Sequence, residues 1–453
     1  MEQRSATAIV IGGSIAGLLA ARVLSDHFTQ VVVLERDALP ETVAHRKGTP
    51  QSHHAHALLG QGQRIMEAFF PGLTDTLVQQ GAPLGYGRFF FGGGYFARHA
   101  QTLPTLYVSR PCLEAEVRRR VRALSCVRVV DRCDALGLVA GEGNRRITGV
   151  RILRRQDGAA AEILPAALVV DASGRGSRTP AWLEELGYAA PAVDLVEVGM
   201  GYASRLYARK LGDLDGDLLI NVAPTPQNRR ASAALAQEGD RWIVTLAGYF
   251  GDHPPTDEAG FRDFARKLPT PDIYELIASA APLSDPVPFK FPANQRRRYE
   301  RLAEFPAGLL VLGDAICSFT PIYGQGMSTA TMQAQALQAC LAQGPVDLER
   351  RFFRQAAAAI DNPWNLTVGN DQRLSGAALP APKRLLNWYM ARLQLVARRD
   401  PEVALAFLKV GSLFAAPPSL LHPRIALRVL KGSRLAGSTS AQGVAPFVQK
   451  SSS

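Results

Sequence analysis

The feature that most narrows what this chain can fold into lies within its first 35 residues. An apolar run, 8–11, meets a turn reading Gly12-Gly13-Ser14-Ile15-Ala16-Gly17, and the turn opens an apolar helix over about 15–24. A short β-branched run, 31–34, follows. Run, turn, helix and run make a βαβ unit, which requires two parallel strands buried in a covered sheet. Gly12 permits the tight turn, and Gly17 lets the helix approach the strand. The helix N-terminus then offers free N–H groups and a favourable dipole to an anion. Ser14 stands where the usual pattern has its middle glycine, and it is small enough for close backbone approach. Glu35 closes the second strand. An acid there either accepts hydrogen bonds from a ribose diol or is a solvated surface group, and its place in the unit favours the ribose. Ala16 lies inside the same turn and belongs to the same set.

Two further buried-strand signals lie far along the chain. The run 168–170 leads into Asp171-Ala172-Ser173-Gly174, and 309–312 leads into Gly313-Asp314-Ala315. Such runs ending in Gly/Asp turns suit one sheet assembled from separated segments, its strand ends facing one ligand. Between them, 198–206, 218–222 and 242–250 read as strands with turns between. From about 346 the chain turns helical: 377–383 is a Pro/Ala-rich break, 385–413 and 425–430 look amphipathic, and the stretch from Gly432 reads as a poorly ordered tail. The expected class is α/β, a discontinuous Rossmann-type nucleotide domain with an inserted sheet-based domain and a helical C-terminal region. The expected boundaries are 1–75, 101–185 and 301–345 for the first, 76–100 and 186–300 for the second, and 346–453 for the third.

Composition excludes several classes. The 453 residues suffice for two domains, and 47% hydrophobic with 20% charged residues is an ordinary globular balance. No window offers about 18 uninterrupted apolar residues, and the start lacks the arrangement of a signal peptide, so a cytoplasmic location is expected. Cys112, Cys126, Cys133, Cys317 and Cys340 are odd in number without CxxC spacing, which argues against disulfides or structural zinc. His53, His54 and His56 have no acid or cysteine beside them, so no metal ligand set is expected. The +11 charge is spread in short arginine runs, a basic surface that suits anionic cofactors rather than nucleic acid. Arg398, Arg399 and Lys409 sit among apolar residues of the C-terminal helices. Those helices are expected to pack on the protein or cover its pocket rather than touch a membrane.

The Gly12–Gly17 turn, Ser109-Arg110 opening a helix through Leu113-Glu114, and Gly313-Asp314-Ala315 followed by Pro321, Gly324 and Gly326 resemble the FAD-dependent monooxygenase superfamily that includes para-hydroxybenzoate hydroxylase. The resemblance covers most of 7–345. It implies non-covalent FAD, with the Asp on the ribityl chain, the Arg on the phosphates, and a helix starting near Met327 facing the flavin pyrimidine edge. A narrower likeness is to flavin epoxidases of polyether antibiotic pathways. It rests on Arg46-Lys47-Gly48-Thr49-Pro50-Gln51, His54-Ala55-His56 and Leu58, on Gly174-Arg175-Gly176-Ser177, on Asp240-Arg241-Trp242-Ile243-Val244-Thr245, and on Pro321-Ile322-Tyr323-Gly324-Gln325-Gly326-Met327-Ser328.

That resemblance implies insertion of one oxygen atom from O2 through a flavin C4a-hydroperoxide, epoxidising an alkene of a polyketide or isoprenoid secondary metabolite. The alternatives are an aromatic hydroxylase or a flavin-dependent reductase or dehydrogenase of isoprenoid double bonds. The implied partners are an apolar small-molecule substrate, O2, and NAD(P)H acting directly or through a separate flavin reductase. Asp171-Ala172-Ser173-Gly174 departs from the hydroxylases' Asp-Gly pair, which argues against direct reduction by NADPH. Cys317 stands where the hydroxylases often carry histidine and is read as a small buried residue. Trp182, Trp242, Trp364 and Trp388 form no WxWxI stretch, so halogenation is not expected. The expected cofactor-binding set is Gly12, Gly13, Ser14, Ala16, Gly17, Glu35, Arg36, Arg46, Arg110, Asp314, Gly324, Gly326, Met327 and Ser328. Pro321, Tyr323 and Gln325 are the expected catalytic residues.

Overall fold

The computed structural model describes residues 6–155, 159–376 and 380–439. Its principal elements run β1 (Thr7–Ile11), α1 (Ile15–Leu24), β2 (Gln30–Leu34), α2 (Gly60–Phe69), α3 (Arg110–Arg122), β3 (Val127–Val130) and β4 (Leu168–Asp171). An antiparallel stretch follows: β5 (Val193–Ala208), β6 (Leu219–Val222), β7 (Arg230–Gln237), β8 (Arg241–Gly248) and β9 (Val287–Arg297). The chain returns through β10 (Leu309–Val311) and β11 (Cys317–Ser318) to α4 (Gln325–Ala342) and α5 (Leu348–Ser375). It ends with α6 (Ala381–Ala397), α7 (Pro401–Gly411) and α8 (Pro423–Thr439).

The parallel sheet has the order β10-β4-β1-β2-β3. Its central strands are buried along nearly their whole length, as a sheet covered on both faces requires. The separated segments end level with one another: Ile11 pairs with Asp171, and Asp171 with Val311. Their turns therefore leave the sheet along one edge. The other main sheet contains the antiparallel order β11-β9-β5-β8-β7-β6. In it Cys317 pairs with Arg296, which fastens the segment after the Gly313 turn to the inserted sheet. A smaller sheet of Cys133–Ala140, Ile147–Arg154 and Glu162–Pro165 was not foreseen from sequence. α4 packs on α1, α2 and α5, closing the core over the parallel sheet.

The described residues form two compact units, one of 6–87 and 103–376, the other of 88–102 and 380–439. The second has its own aromatic cluster: Phe91 stacks on Phe96 at 5.1 Å, and Phe407 meets both edge-on at 5.2 Å. The expected amphipathic stretch 385–413 is two helices, broken where Asp400 caps α7 by accepting from the Glu402 and Val403 N–H groups. The Pro/Ala-rich break is shorter than expected, because Ala381 and Pro382 start α6, where proline at the first turn costs no hydrogen bond. The segment after Gly432 continues as helix to Thr439, and the rest of the expected tail, 440–453, lies outside the described residues.

Candidate active site at the level strand ends

The backbone of the first turn leaves no room for side chains. Gly12 has φ +105°, and a Cβ there would come 2.5 Å from the Ala172 carbonyl oxygen. A Cβ on Gly17 would come 1.8 Å from the Gly12 carbonyl oxygen. α1 starts with no side-chain cap and no acid in its first turn, because Ser14 turns its hydroxyl to Glu114 instead, donating at 2.7 Å. α4 also starts uncapped and without an early acid, after Gly324 at φ +65°. Two helix N-termini are thus free to meet negative charge or electron density. The two glycine motifs touch. A Cβ on Gly313 would lie 2.7 Å from Ala16 Cβ, and one on Gly326 would lie 3.9 Å from the Asp314 Oδ1.

A charge cluster borders the turn. Glu35 Oε2 accepts the Gly13 N–H at 2.9 Å, and Oε1 accepts the Asp37 N–H at 3.1 Å. Arg46 lies 3.0 Å from Glu35, 3.3 Å from Asp37 and 2.8 Å from Glu114. Arg110 donates to Ser14 Oγ at 2.8 Å and pairs with Glu114 at 3.3 Å. Glu114, one α-helical turn beyond Arg110, was quoted in the sequence motif without a role. It gathers these groups. Burial alone would raise its pKa, but Arg110, Arg46 and the Ser14 hydroxyl lower it below the usual carboxylate value. Burial would lower Arg46, and Glu114 and Glu35 raise it instead. Arg36 is exposed.

Asp314 keeps more than a third of its surface open, yet protein surrounds it closely enough for burial to raise its pKa despite Arg110 and Arg175. Its carboxyl lies beside the start of α4, next to Gly326. Ala57 lies beside Gly324, 3.3 Å from where a Cβ would project. The neighbouring His56 is half-buried, and burial, then Arg110, lower its pKa to about 4. His54 is buried, contacts Ser204 Oγ through Nδ1 at 2.9 Å, and has its pKa lowered to about 3 by burial and then by His56. Both rings are neutral at pH 7. Met327 and Ser328 are buried, and Ser328 Oγ accepts the Leu59 N–H at 3.0 Å, so their side chains seat α4.

Pro321, Ile322 and Tyr323 form one short turn, half-buried. The Tyr323 hydroxyl donates to Asp371 Oδ1 at 3.0 Å, as does Tyr249 at 3.0 Å. Asn294 Nδ2 and Thr320 Oγ1 donate to Oδ2 at 2.6 and 2.8 Å. Burial raises the Asp371 pKa, and these donors oppose that shift. Burial, and after it the charge near Asp371, hold Tyr323 well above the usual phenol value, so it remains a donor. Gln325 is buried and accepts from Thr367 of α5 at 2.8 Å, so its side chain turns to that helix. The sequence reading missed Asp371. A signal existed: Ala356, Ile360, Trp364, Thr367, Asp371 and Leu374 are buried at helical spacing, which puts an acid on an inward stripe. Val198, Met200, Tyr202, Ala247, Tyr249 and Phe291 form an apolar cluster, with Phe289 and Ile322 packed against it.

Asp171 is fully buried and accepts from Ser173 N and the Ser177 and Thr179 hydroxyls at 2.9, 2.5 and 2.5 Å, a turn-locking role. Cys317 is buried, and burial holds its thiol well above the usual value. Among the described residues no group of three or more His, Cys, Asp or Glu is placed to hold a metal, and no helix is long and apolar enough to cross a membrane.

No family model matches the chain. It is 35% identical over 428 residues to Protein Rv3254 of Mycobacterium tuberculosis, spanning 90% of this chain and 89% of that protein. A flavoprotein/dehydrogenase structure from Cytophaga hutchinsonii superposes with a TM-score of 0.68 at 14% identity, covering 96% of this chain and 100% of the other. The structure of PqsL, described as a probable FAD-dependent monooxygenase from Pseudomonas aeruginosa, has a TM-score of 0.61 at 18% identity, covering 82% and 99%. The nucleotide sheet with its inserted antiparallel sheet is the fold shared with these flavoproteins. By its identity across nearly the full length of both chains, this protein belongs to the family of the mycobacterial protein Rv3254, on the fold of FAD-dependent monooxygenases.

Proposed function

We propose that the chain is an FAD-dependent monooxygenase that inserts one oxygen atom from O2, epoxidising an alkene of a polyketide or isoprenoid metabolite. One observation carries the reading: two uncapped helix N-termini, the Arg110–Ser14 contact and Asp314 lie together at the ends of the parallel strands. The donor set fits FAD. The glycine turn, where a Cβ at Gly12 or Gly17 would meet backbone, brings the α1 N-terminus close to the strand end, and Arg110 stands beside it on Ser14, an arrangement that suits a pyrophosphate. A carboxylate offers about four lone-pair positions, so Glu35 keeps capacity for a ribose diol beyond its present partners. Asp314 would accept from the ribityl hydroxyls, and the α4 N-terminus would face the electron-rich edge of the ring. Bound FAD, once reduced, would supply the activation of oxygen.

The remaining roles fall to this chain's own residues. Pro321 and Tyr323 line the reaction side, and Gln325, Met327 and Ser328 hold α4 in place. The apolar cluster around Met200, Phe289 and Phe291 excludes water and suits an apolar substrate. Of the titratable groups around it, His54 and His56 are neutral at pH 7 with pKa values of about 3 and 4, and Asp371 already accepts four hydrogen bonds. That supports an alkene, whose epoxidation requires no deprotonation, over a phenol. Reducing equivalents would come from NAD(P)H, directly or through a separate flavin reductase.

The test is to photoreduce the purified flavoprotein without oxygen and mix it with labelled dioxygen and a panel of polyene and phenol substrates. An epoxide carrying one labelled oxygen atom is expected. A saturated or desaturated product without label would replace this reading with a dehydrogenase, and labelled phenol products would replace the alkene with an aromatic ring.

A further inference from the structure

We infer that the C-terminal helical unit docks on an anionic lipid surface, using one face each of α6 and α8. Residues 380–439 carry ten lysines and arginines against two acids, a net +8 of the chain's +11. The two acids are already engaged, Asp400 with Arg428 at 2.8 Å and Glu402 with His99 at 3.1 Å.

Several apolar side chains of this unit stay at its surface. On α6, Leu385, Trp388 and Leu395 are 66%, 46% and 36% exposed. They follow helical spacing with Arg392 between them, its guanidinium 4.3 Å from the Trp388 ring. Arg384 and Arg399 fall on the same side by that spacing. The opposite side of α6 is buried through Tyr389, Leu393, Val396 and Ala397. On α8, Leu427 and Leu430 are 55% and 45% exposed, with Arg424 and Lys431 in register. The two helices pack together, and α8 approaches α6 closely where Gly432 meets Val396. Leu395 and Leu430 flank that crossing.

The expectation from sequence is that these helices pack on the protein; α6 does so on α7 and α8 with one face and leaves the other exposed. Exposed leucines grouped with a tryptophan and rimmed by cations form an unstable surface in water. They match a lipid interface, where apolar tips enter the acyl boundary, the indole sits at headgroup level and long basic side chains reach the anionic headgroups. An acidic protein would satisfy the cations and leave the leucines unexplained. The inference does not depend on which reaction the site at the strand ends performs.

The flavin-loaded full chain supplies its own reporter. Trp388 is exposed, whereas Trp182, Trp242 and Trp364 are at most 5% exposed. Flotation with phosphatidylglycerol/phosphatidylcholine vesicles should carry the protein upward, and vesicles of phosphatidylcholine alone should not. Tryptophan emission should shift to the blue on the anionic vesicles and be quenched by brominated acyl chains, and Trp388→Phe should remove both signals. Leu385→Asp with Leu427→Asp should weaken vesicle binding by about tenfold or more with flavin content unchanged. Failure to float on anionic vesicles would overturn the proposal. So would flotation without any Trp388 response, because that means electrostatic contact without insertion. The wild-type quenching decides the matter even if the double variant folds poorly.

Discussion

Without its charge, Glu114 would leave Arg110 buried without its paired carboxylate, and Arg46 with two of its three acids. Glu114→Gln is therefore expected to destabilise the protein by about 3 kcal/mol at pH 7, the usual scale for breaking a buried pair from one side. Urea unfolding of the wild type and variant measures it, and a loss below about 0.5 kcal/mol would refute the assigned role. His54 makes a prediction about acid. Its folded pKa of about 3 lies below its ordinary value of 6.5, so the unfolded chain binds a proton the folded chain refuses. Stability should then fall as pH drops below about 6.5, by up to about 1.4 kcal/mol per pH unit for this one group. His54→Gln should flatten that part of the curve of unfolding free energy against pH, and an unchanged slope would assign the acid sensitivity elsewhere. The turn glycines and Asp314 were legible because each bears a backbone or charge requirement of its own. Asp371 was hidden because its partners come from three other elements.

The long helix α5 reaches the turn before α4 through Asp371 and the start of α4 through Thr367. Asp371 ties Tyr323 and Thr320, and so the turn before α4, to a helix that supplies no residue to the nucleotide motifs. Asp371→Asn exchanges a carboxylate for an amide that cannot accept on both sides, stranding at least one buried donor. A loss of about 1–3 kcal/mol in stability is expected. Flavin content should be unchanged, since the Gly12–Gly17 turn and Asp314 are untouched. Loss of flavin together with stability would instead make Asp371 part of the cofactor site. The same scale shows why some elements were readable and others were not. β1, β2, β4 and β10 are continuous apolar runs, which only a covered strand or a buried helix can use. The stretch 385–413 carried one amphipathic pattern across two helices, and only the Asp400 cap and Pro401 mark the break.

For the whole molecule, FAD should stabilise the folded state by mass action, by about 2.7 kcal/mol at a hundredfold excess over its Kd. FMN lacks the adenosine half that Glu35 and the first turn would hold, so it should give little stabilisation. Thermal unfolding of the flavin-free protein with each flavin tests this, and equal stabilisation by the two would remove the adenosine site from Glu35.

The chain's sequence by itself determined the nucleotide-binding βαβ unit, the three Gly/Asp turns and the alternation of strand-rich and helical stretches. Those follow from local rules of periodicity, backbone freedom and helix-end charge. Only the tertiary structure decided which residues meet. It set Asp171 level with Ile11 and Val311, closed Ala16 against Gly313, and gathered Arg46 and Arg110 on Glu114. It also left Leu385 and Trp388 exposed. Contacts across a hundred or more residues leave no local trace, because the free energy that selects them belongs to the packed core and not to any one segment.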